Sequence, residues 1–260
     1  MLLNERVAIV TGGAEGIGKG IALKFAAEGC SVIIADIGEA EGEKTAKEIS
    51  GKNRKGLFVK CDVTDYRSVN DMVKGTVAEF GGVDILVNNA GGILGMTGVP
   101  IEDITEEQWT NLIDLNLKSQ FLCCQAVTKY MKERRYGKII NISSIGAVCP
   151  PASVIAYHAA KGGVLGLTID LAVHLAPFNI YVNAILPGPI RTSFWKPIIK
   201  DIPGDKDLFF SELAKKEVPL QRIGTPDDIG GAALFLASEL SSYVTGQTIC
   251  VAGGQPLMPV

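Results

Sequence analysis

A doubly wound parallel α/β sheet is the fold this sequence predicts, and three observations predict it. Seven short β-branched runs are spaced along the chain, segments of helical periodicity separate them, and a glycine-rich turn follows the first run. Parallel strands need long crossovers, and strands apolar on both faces need helices on both sides. Alternation of this kind therefore closes into right-handed βαβ units. The expected architecture is a Rossmann fold with seven parallel strands and helices on both faces, one single domain over residues 1–260. With 47% hydrophobic and 20% charged residues, the chain has enough apolar surface for one continuous core.

The first strand, Val7 to Val10, runs into Thr11-Gly12-Gly13-Ala14-Glu15-Gly16-Ile17-Gly18 and then a helical pattern with Ile21, Phe25 and Ala26. Glycines here let the backbone turn tightly and approach a pyrophosphate, whose charge sits against the free N–H groups of the helix. A ligand-free glycine turn is the alternative; the position at the first strand-to-helix switch disfavours it. The second strand, Val32 to Ala35, ends in Asp36. A carboxylate there accepts hydrogen bonds from both adenosine ribose hydroxyls and repels a 2′-phosphate, which favours NAD over NADP. Glu15 acts in the same sense, standing where a basic residue would be needed to pair that phosphate.

The third strand is Leu57 to Val59, followed by helical spacing at Met72, Val73, Val77 and Phe80; the fourth is Ile85 to Val87. The fifth, Lys138 to Ile142, leads into Ser143-Ser144, at the strand end where an open α/β sheet places its ligand. Thirteen residues after Ser144 comes Tyr157, and Lys161 follows one helical turn later. The two share a helix face. A phenol titrates near 10, too high for a base at neutral pH, and a neighbouring ammonium is expected to lower that value. Alone, the spacing also fits an ordinary aromatic–cation pair on a helix surface; Ser144 favours the acid/base reading. The sixth strand is Ile180 to Ile185 and the seventh Thr248 to Val251. Between the sixth strand and the last helix, an insertion at about 189–216 is long for a connection, which suggests a lid or substrate-facing lobe.

Thr11-Gly12-x3-Gly16-x-Gly18, Asn88-Asn89-Ala90-Gly91, Asn116, Ser143-Ser144, Tyr157-x3-Lys161 and Pro187-Gly188 stand in the order and approximate spacing of the short-chain dehydrogenase/reductase family, which the chain resembles from about residue 5 to 254. The resemblance implies that Tyr157 exchanges the hydroxyl proton, that Lys161 lowers its pKa and bonds the nicotinamide ribose, and that Ser144 bonds the substrate oxygen. Asn116 would hold a water in a relay behind the lysine, while Ser143 is structural. For the cofactor, NAD, it implies contacts from Gly12, Glu15, Gly16, Ile17 and Gly18, from Asp36 and Ile37, and from Cys61, Asp62 and Val63 at the adenine. Asn89, Ala90 and Gly91 would shape the sheet end. Tyr157 and Lys161 would serve the ribose, and Pro187, Gly188, Ile190 and Thr192 the carboxamide. Ala252 stands where many relatives carry Asp, which weakens the inference of the family's usual homo-oligomer, a tetramer or dimer.

The substrate groove is expected between the loop Ile145 to Ile155, offering Val148, Cys149, Pro150, Pro151, Val154 and Ile155, and the insertion, offering Phe194, Trp195 and Pro197. Both are largely apolar. With only Arg191, Lys196 and Lys200 nearby in sequence, a neutral, mostly apolar secondary alcohol or ketone is the expected substrate. Net charge is −3 and Lys132-Glu133-Arg134-Arg135 is the longest basic stretch, which disfavours nucleic acid. No uninterrupted apolar run approaches the ~18 residues of a bilayer span and no leader pattern is visible, so the expected location is cytoplasmic, with no membrane partner. Six scattered cysteines and two histidines form no metal-ligand spacing, and the cysteines read as mostly buried thiols. His158 and His174 read as packed or surface residues. Three rivals stay open: an NADPH-dependent 3-oxoacyl-carrier-protein reductase, a non-catalytic NAD-binding redox sensor, and a lyase or epimerase of nucleotide sugars.

Overall fold

The structure, a computed structural model, describes residues 1–50, 55–149, 154–200 and 204–256. Among these, the strands are β1 Val7–Thr11, β2 Ser31–Asp36, β3 Gly56–Lys60, β4 Ile85–Asn88, β5 Gly137–Ile142, β6 Ile180–Pro187 and β7 Thr248–Val251. The helices are α1 Gly16–Ala27, α2 Glu39–Ser50, α3 Tyr66–Phe80, α4 Glu106–Ile113, α5 Ser119–Arg134, α6 Ile155–Leu175, α7 Lys196–Ile199, α8 Lys206–Glu217 and α9 Pro226–Ala237. All seven strands form one parallel sheet in the order β3-β2-β1-β4-β5-β6-β7.

Because successive strand residues face opposite ways, near-continuous apolar strands feed two cores. Ala8, Val10, Val32, Ile34, Ile85, Val87, Ile140 and Ile142 pack on one face with Ile21 and Phe25 of α1, Ala46 and Ile49 of α2, and Ile229 and Ala233 of α9. Val7, Ile9, Ile33, Ala35, Leu86 and Ile139 pack on the other with Met72 and Val73 of α3, Leu122 and Val127 of α5, and Ala172 and Leu175 of α6. Each fully buried aliphatic side chain contributes about 1.5–3 kcal/mol by leaving water. Both layers therefore hold the sheet beneath the site.

Chain direction reverses beside β1. From β1 the chain moves outward to β2 and β3, then returns to β4 on the other side of β1. Adjacent strands whose following connections diverge leave a crevice at their carboxyl ends, where this architecture binds ligands. The predicted insertion contains a short 3-10 turn at Ser193–Trp195, then α7 and α8. It stands over that end of the sheet.

One helix bears on the sequence expectation about membranes. The stretch Ile155–Phe178, α6 with its C-terminal extension, is long and apolar enough by length and composition to cross a bilayer, and is partly buried in the fold. Lys161 and Asp170 interrupt it, which is why no continuous apolar run was apparent. Of the cysteines, Cys30, Cys61, Cys123 and Cys124 are buried while Cys149 and Cys250 are exposed.

Candidate active site

A cleft of about 770 Å³ opens at the carboxyl end of the sheet, from the glycine turn to the Phe194–Trp195 lobe. Its first wall is the β1–α1 turn. Gly12 and Gly16 take φ of +61° and +57°, left-handed values that a Cβ disfavours. Glu15 at the N-cap of α1 makes no side-chain capping bond, so the first N–H groups of the helix meet no side-chain acceptor there. Gly12, Glu15, Gly16 and Ile17 all line the cleft. Gly18 does not: it packs beneath the turn, where a Cβ would collide with the Gly12 carbonyl and the Asn89 amide. The absence of a Cβ there lets α1 start flush against the strand.

Asp36 ends β2 at the cleft wall. Its Oδ2 accepts from the Ala14 amide at 3.0 Å and its Oδ1 from the Gly38 amide at 3.0 Å. Two backbone donors fix the direction in which the carboxylate points. Ile37, Cys61, Asp62 and Val63 complete this end. Asp62 also accepts from the Thr64 amide and hydroxyl at 2.9 and 2.7 Å, which fixes the turn after β3. Asn89 bridges the crevice: its amide donates to the Thr11 and Gly12 carbonyls, both at 3.0 Å. The Thr11 hydroxyl accepts the Asn89 and Ala90 N–H groups at 3.0 and 3.1 Å. Asn89, Ala90 and Gly91 thereby lock β4 to the glycine turn. These features fit a dinucleotide: a Cβ-free cradle at a helix N-terminus and an oriented carboxylate at the next strand end.

Ser144, Tyr157 and Lys161 converge at the far end. The Ser144 hydroxyl hydrogen-bonds the Tyr157 phenol and accepts from the Gly146 amide at 3.1 Å. Lys161 donates to the Ile142 carbonyl at 2.9 Å, with its ammonium 5.6 Å from the Tyr157 ring centre. Ser143 Oγ donates to the Lys161 carbonyl at 2.8 Å and so braces α6, the structural role expected of it. Burial dominates the electrostatics. It pushes the Tyr157 phenol up to about 12, with the Ser144 bond only partly opposing, and pulls the Lys161 ammonium down to about 8. For the phenol that direction is opposite to the fall expected from the lysine alone, with the Tyr157 side chain partly buried at the cleft wall.

Asn116 is fully buried in a π-helical turn, Asp114–Lys118, inserted between α4 and α5. Its amide donates to the Gly92 and Leu112 carbonyls at 2.9 and 3.0 Å, and its Oδ1 accepts the Gly92 amide at 3.0 Å. A Cβ on Gly91 would lie 2.7 Å from Asn116 Oδ1 and 3.2 Å from Lys161 Nζ, so the glycine admits both side chains. Asn116 thus clamps the loop beside the lysine from outside the cleft wall.

Pro187, Gly188, Ile190 and Thr192 line the remaining wall. Gly188 lies against Ala252, where a Cβ would come within 2.6 Å. The Trp195 indole donates to the Ile190 carbonyl at 2.8 Å. Phe194 faces the Tyr157 ring at 6.2 Å, and Trp195 packs edge-on against Phe209 and Phe210 of α8. Cys149 is exposed and stands apart from the described lining, as do Val148, Val154 and Ile155. Val154 packs with Ile93, Leu112 and Ala156. Pro150, Pro151 and the Pro197 side chain lie outside the described residues. His158 is packed over Gly146 and beside Tyr157, and burial lowers its pKa.

Sequence reasoning missed the loop after Gly91, whose Ile93, Leu94 and Gly95 line the cleft, and the buried amide of Gln120. The first had a signal, a glycine-rich segment at a strand end. The second had none, since a glutamine in a helix reads as surface.

A family profile described as Enoyl-(Acyl carrier protein) reductase matches residues 12–255. The chain is 40% identical to the (2S)-[(R)-hydroxy(phenyl)methyl]succinyl-CoA dehydrogenase subunit BbsD of Thauera aromatica, over 99% of both chains. It is 43% identical to the galactitol 2-dehydrogenase of Agrobacterium fabrum, over 98% of both. It is 41% identical to the 3-oxoacyl-[acyl-carrier-protein] reductase FabG of Chlamydia muridarum, over 97% of this chain and 98% of that one. Among solved structures, a short-chain type dehydrogenase/reductase from Mycobacterium marinum superposes with a TM-score of 0.89 at 34% identity, covering 98% of this chain and 97% of that one. NAD+-bound xylitol dehydrogenase does so with a TM-score of 0.90 at 31% identity, covering 98% and 100%. The chain belongs to the short-chain dehydrogenase/reductase family, the nicotinamide-dependent oxidoreductases that act on alcohol and ketone groups.

Proposed function

We propose that the chain is an NAD(H)-dependent enzyme interconverting a neutral, largely apolar secondary alcohol and its ketone, with Tyr157 as acid and base. The observation that carries the cofactor preference is Asp36, held at the end of β2 by the Ala14 and Gly38 amides and facing the cleft. A fixed carboxylate there accepts from ribose hydroxyls and repels a 2′-phosphate. Glu15 on the same wall adds to that repulsion. The solved neighbours named as complexes with NAD+ and with NADH are in keeping with this. When bound, the nicotinamide supplies or takes the hydride. The side chains handle the proton: Ser144 donates to the substrate oxygen and orients it toward Tyr157, whose phenol at the cleft wall is poised to protonate a ketone. For alcohol oxidation Tyr157 must first lose its proton, and Lys161 stabilises the resulting phenolate.

Substrate class rests on the wall opposite Tyr157. Phe194 presents an exposed ring to the cleft. Arg191, the nearest arginine, is paired with Asp207 on α8. An apolar or aromatic group beside the reacting carbon fits this wall better than an anion does. The 3-oxoacyl-carrier-protein reductase reading has a relative of that name in its favour. Asp36 and Glu15 oppose the NADPH it requires. A non-catalytic sensor would have no use for Ser144 bonded to a desolvated phenol.

Exposed Phe121 on α5 and Ile169 and Val173 on α6 lie along adjacent helices, and we read them as the face a second copy covers. Light scattering after gel filtration tests this, and a monomer at micromolar concentration would refute it. The catalytic reading is tested by steady-state assays of NAD and NADP against secondary alcohols, polyols, hydroxysteroids and 3-hydroxyacyl thioesters. Preference for NADP would sink the Asp36 argument. Asp36→Ala is expected to narrow the NAD/NADP ratio by about tenfold or more, equivalent to about 1.4 kcal/mol or more of lost discrimination.

A further inference from the structure

Gln120 stands one helical turn after Asn116, among buried apolar side chains of α5. It is 1% exposed, and its Nε2 donates to the Ile142 carbonyl at 3.1 Å. The same oxygen takes the Lys161 ammonium at 2.9 Å. The Gln120 Oε1 is buried with no hydrogen-bond partner among the described residues. A methionine or leucine would fill this site without stranding a carbonyl in the interior, so the amide is retained against a stability penalty. Residues that break a packing rule in this way cluster at functional sites. Among the described residues, the one bond this side chain makes is to the oxygen that tethers the catalytic lysine.

We propose that Gln120 is a positioning residue for Lys161: its amide fixes the Ile142 carbonyl and occupies that oxygen alongside the lysine, loosening the tether so that the ammonium can turn toward the phenol and the cofactor ribose. The proposal rests on the reading of Tyr157 and Lys161 as an acid/base pair. A carbonyl oxygen has two lone pairs, and here both are engaged by donors. The positive end of the amide N–H dipole lies on the same oxygen as the ammonium and disfavours its charge. The groups facing Lys161 are few: Tyr157 on its own helix, Asn116 behind Gly91, Gln120 from α5 and the Ile142 carbonyl from β5. Of these, only Tyr157 titrates. Removing the amide therefore strengthens the hold of Ile142 on the ammonium, and lysine charge should persist to higher pH.

The test compares wild type with Gln120→Met, which keeps the volume and removes the donor, and Gln120→Glu, which keeps the shape and adds charge. In protein free of cofactor and substrate, the titration of Lys161 is followed by NMR on lysines carbon-13-labelled at Cε, its signal identified by its loss in Lys161→Met. The expected result is an upward shift of the midpoint by about half a unit, about threefold in proton affinity, in Gln120→Met and more in Gln120→Glu. The alkaline limb of the kcat/KM profile should move in the same direction. Superimposable midpoints in wild type and both variants would overturn the proposal, as would lowered activity with an unmoved profile. If Gln120→Met does not fold, Gln120→Leu, which also removes the donor without adding charge, takes its place. Turnover surviving in Tyr157→Phe would instead remove the acid/base reading while leaving the NMR comparison intact.

Discussion

At the scale of single residues, burial sets the direction of the chemistry. With the Tyr157 phenol raised to about 12, the protonated form dominates at neutral pH and ketone reduction has its acid ready. In the oxidative direction the base must be generated, so kcat/KM is expected to climb with pH between about 7 and 10, whereas the reductive profile stays flat before falling. Parallel pH profiles in the two directions check this, and an oxidative profile independent of pH would contradict it. Lys161 carries a stability consequence as well. Its folded value, about 8, lies below the ordinary 10.5, so between those values the unfolded chain binds more protons than the native one. Its contribution to stability therefore improves as pH rises through that window and is a penalty at neutral pH. Lys161→Met is expected to abolish turnover yet melt a few degrees higher at pH 7, with the difference closing by about pH 10.5. Calorimetry across pH measures both parts. The residue pair itself was legible from its spacing next to Ser144. The sign of the tyrosine shift was not, because burial depends on Ile93, Phe194 and Ile198 arriving from distant segments.

At the scale of elements, the β1–α1 turn is held by what glycine omits. Gly18→Ala would press a methyl into the Gly12 carbonyl and the Asn89 amide that bridges β1 to β4. Overpacking of this kind costs typically about 1–3 kcal/mol, and the displaced turn should also weaken cofactor binding. Denaturant melts and cofactor titration should show both losses; unchanged affinity would mean that the turn tolerates displacement. A second site is the start of α9, where Thr225 and Asp228 form a reciprocal capping box and Arg222 pairs with Asp228. Thr225→Ala is expected to lower stability by about 1 kcal/mol without changing the pH profile, because the cap lies outside the cleft. The seven strands were legible because each is a short apolar run with turn residues beside it. Their ends moved by one or two residues, as with Pro187, which extends β6 to the cleft. The π turn holding Asn116 left no trace in residue spacing, since one widened turn shifts the helix face without altering composition. Among the described residues the wall includes the Gly92–Gly95 loop, which no apolar pattern near the serine had pointed to.

At the scale of the whole molecule, two cores on either face of one sheet fix the carboxyl ends of β1, β2, β4, β5 and β6 relative to one another. Asp36 at the end of β2 and Asn89, Ser144 and Gly188 just beyond β4, β5 and β6 all line the cleft. The aromatic series from Phe194 through Trp195 to Phe209 and Phe210 joins the cofactor-facing segment to α8, so that the substrate lobe and the Ile190 carbonyl are placed together. The architecture and the proton-handling residues could be read from the chain alone because the cleft residues sit at or just beyond strand ends and Tyr157 and Lys161 stand one turn apart on α6. The most direct test is the turnover of reduced and oxidised nicotinamide by Tyr157→Phe beside wild type, at cofactor concentrations shown by titration to saturate both. A fall of at least about a hundredfold in kcat with cofactor affinity retained is expected. Near wild-type turnover in that variant would contradict Tyr157 as the acid and base of this enzyme.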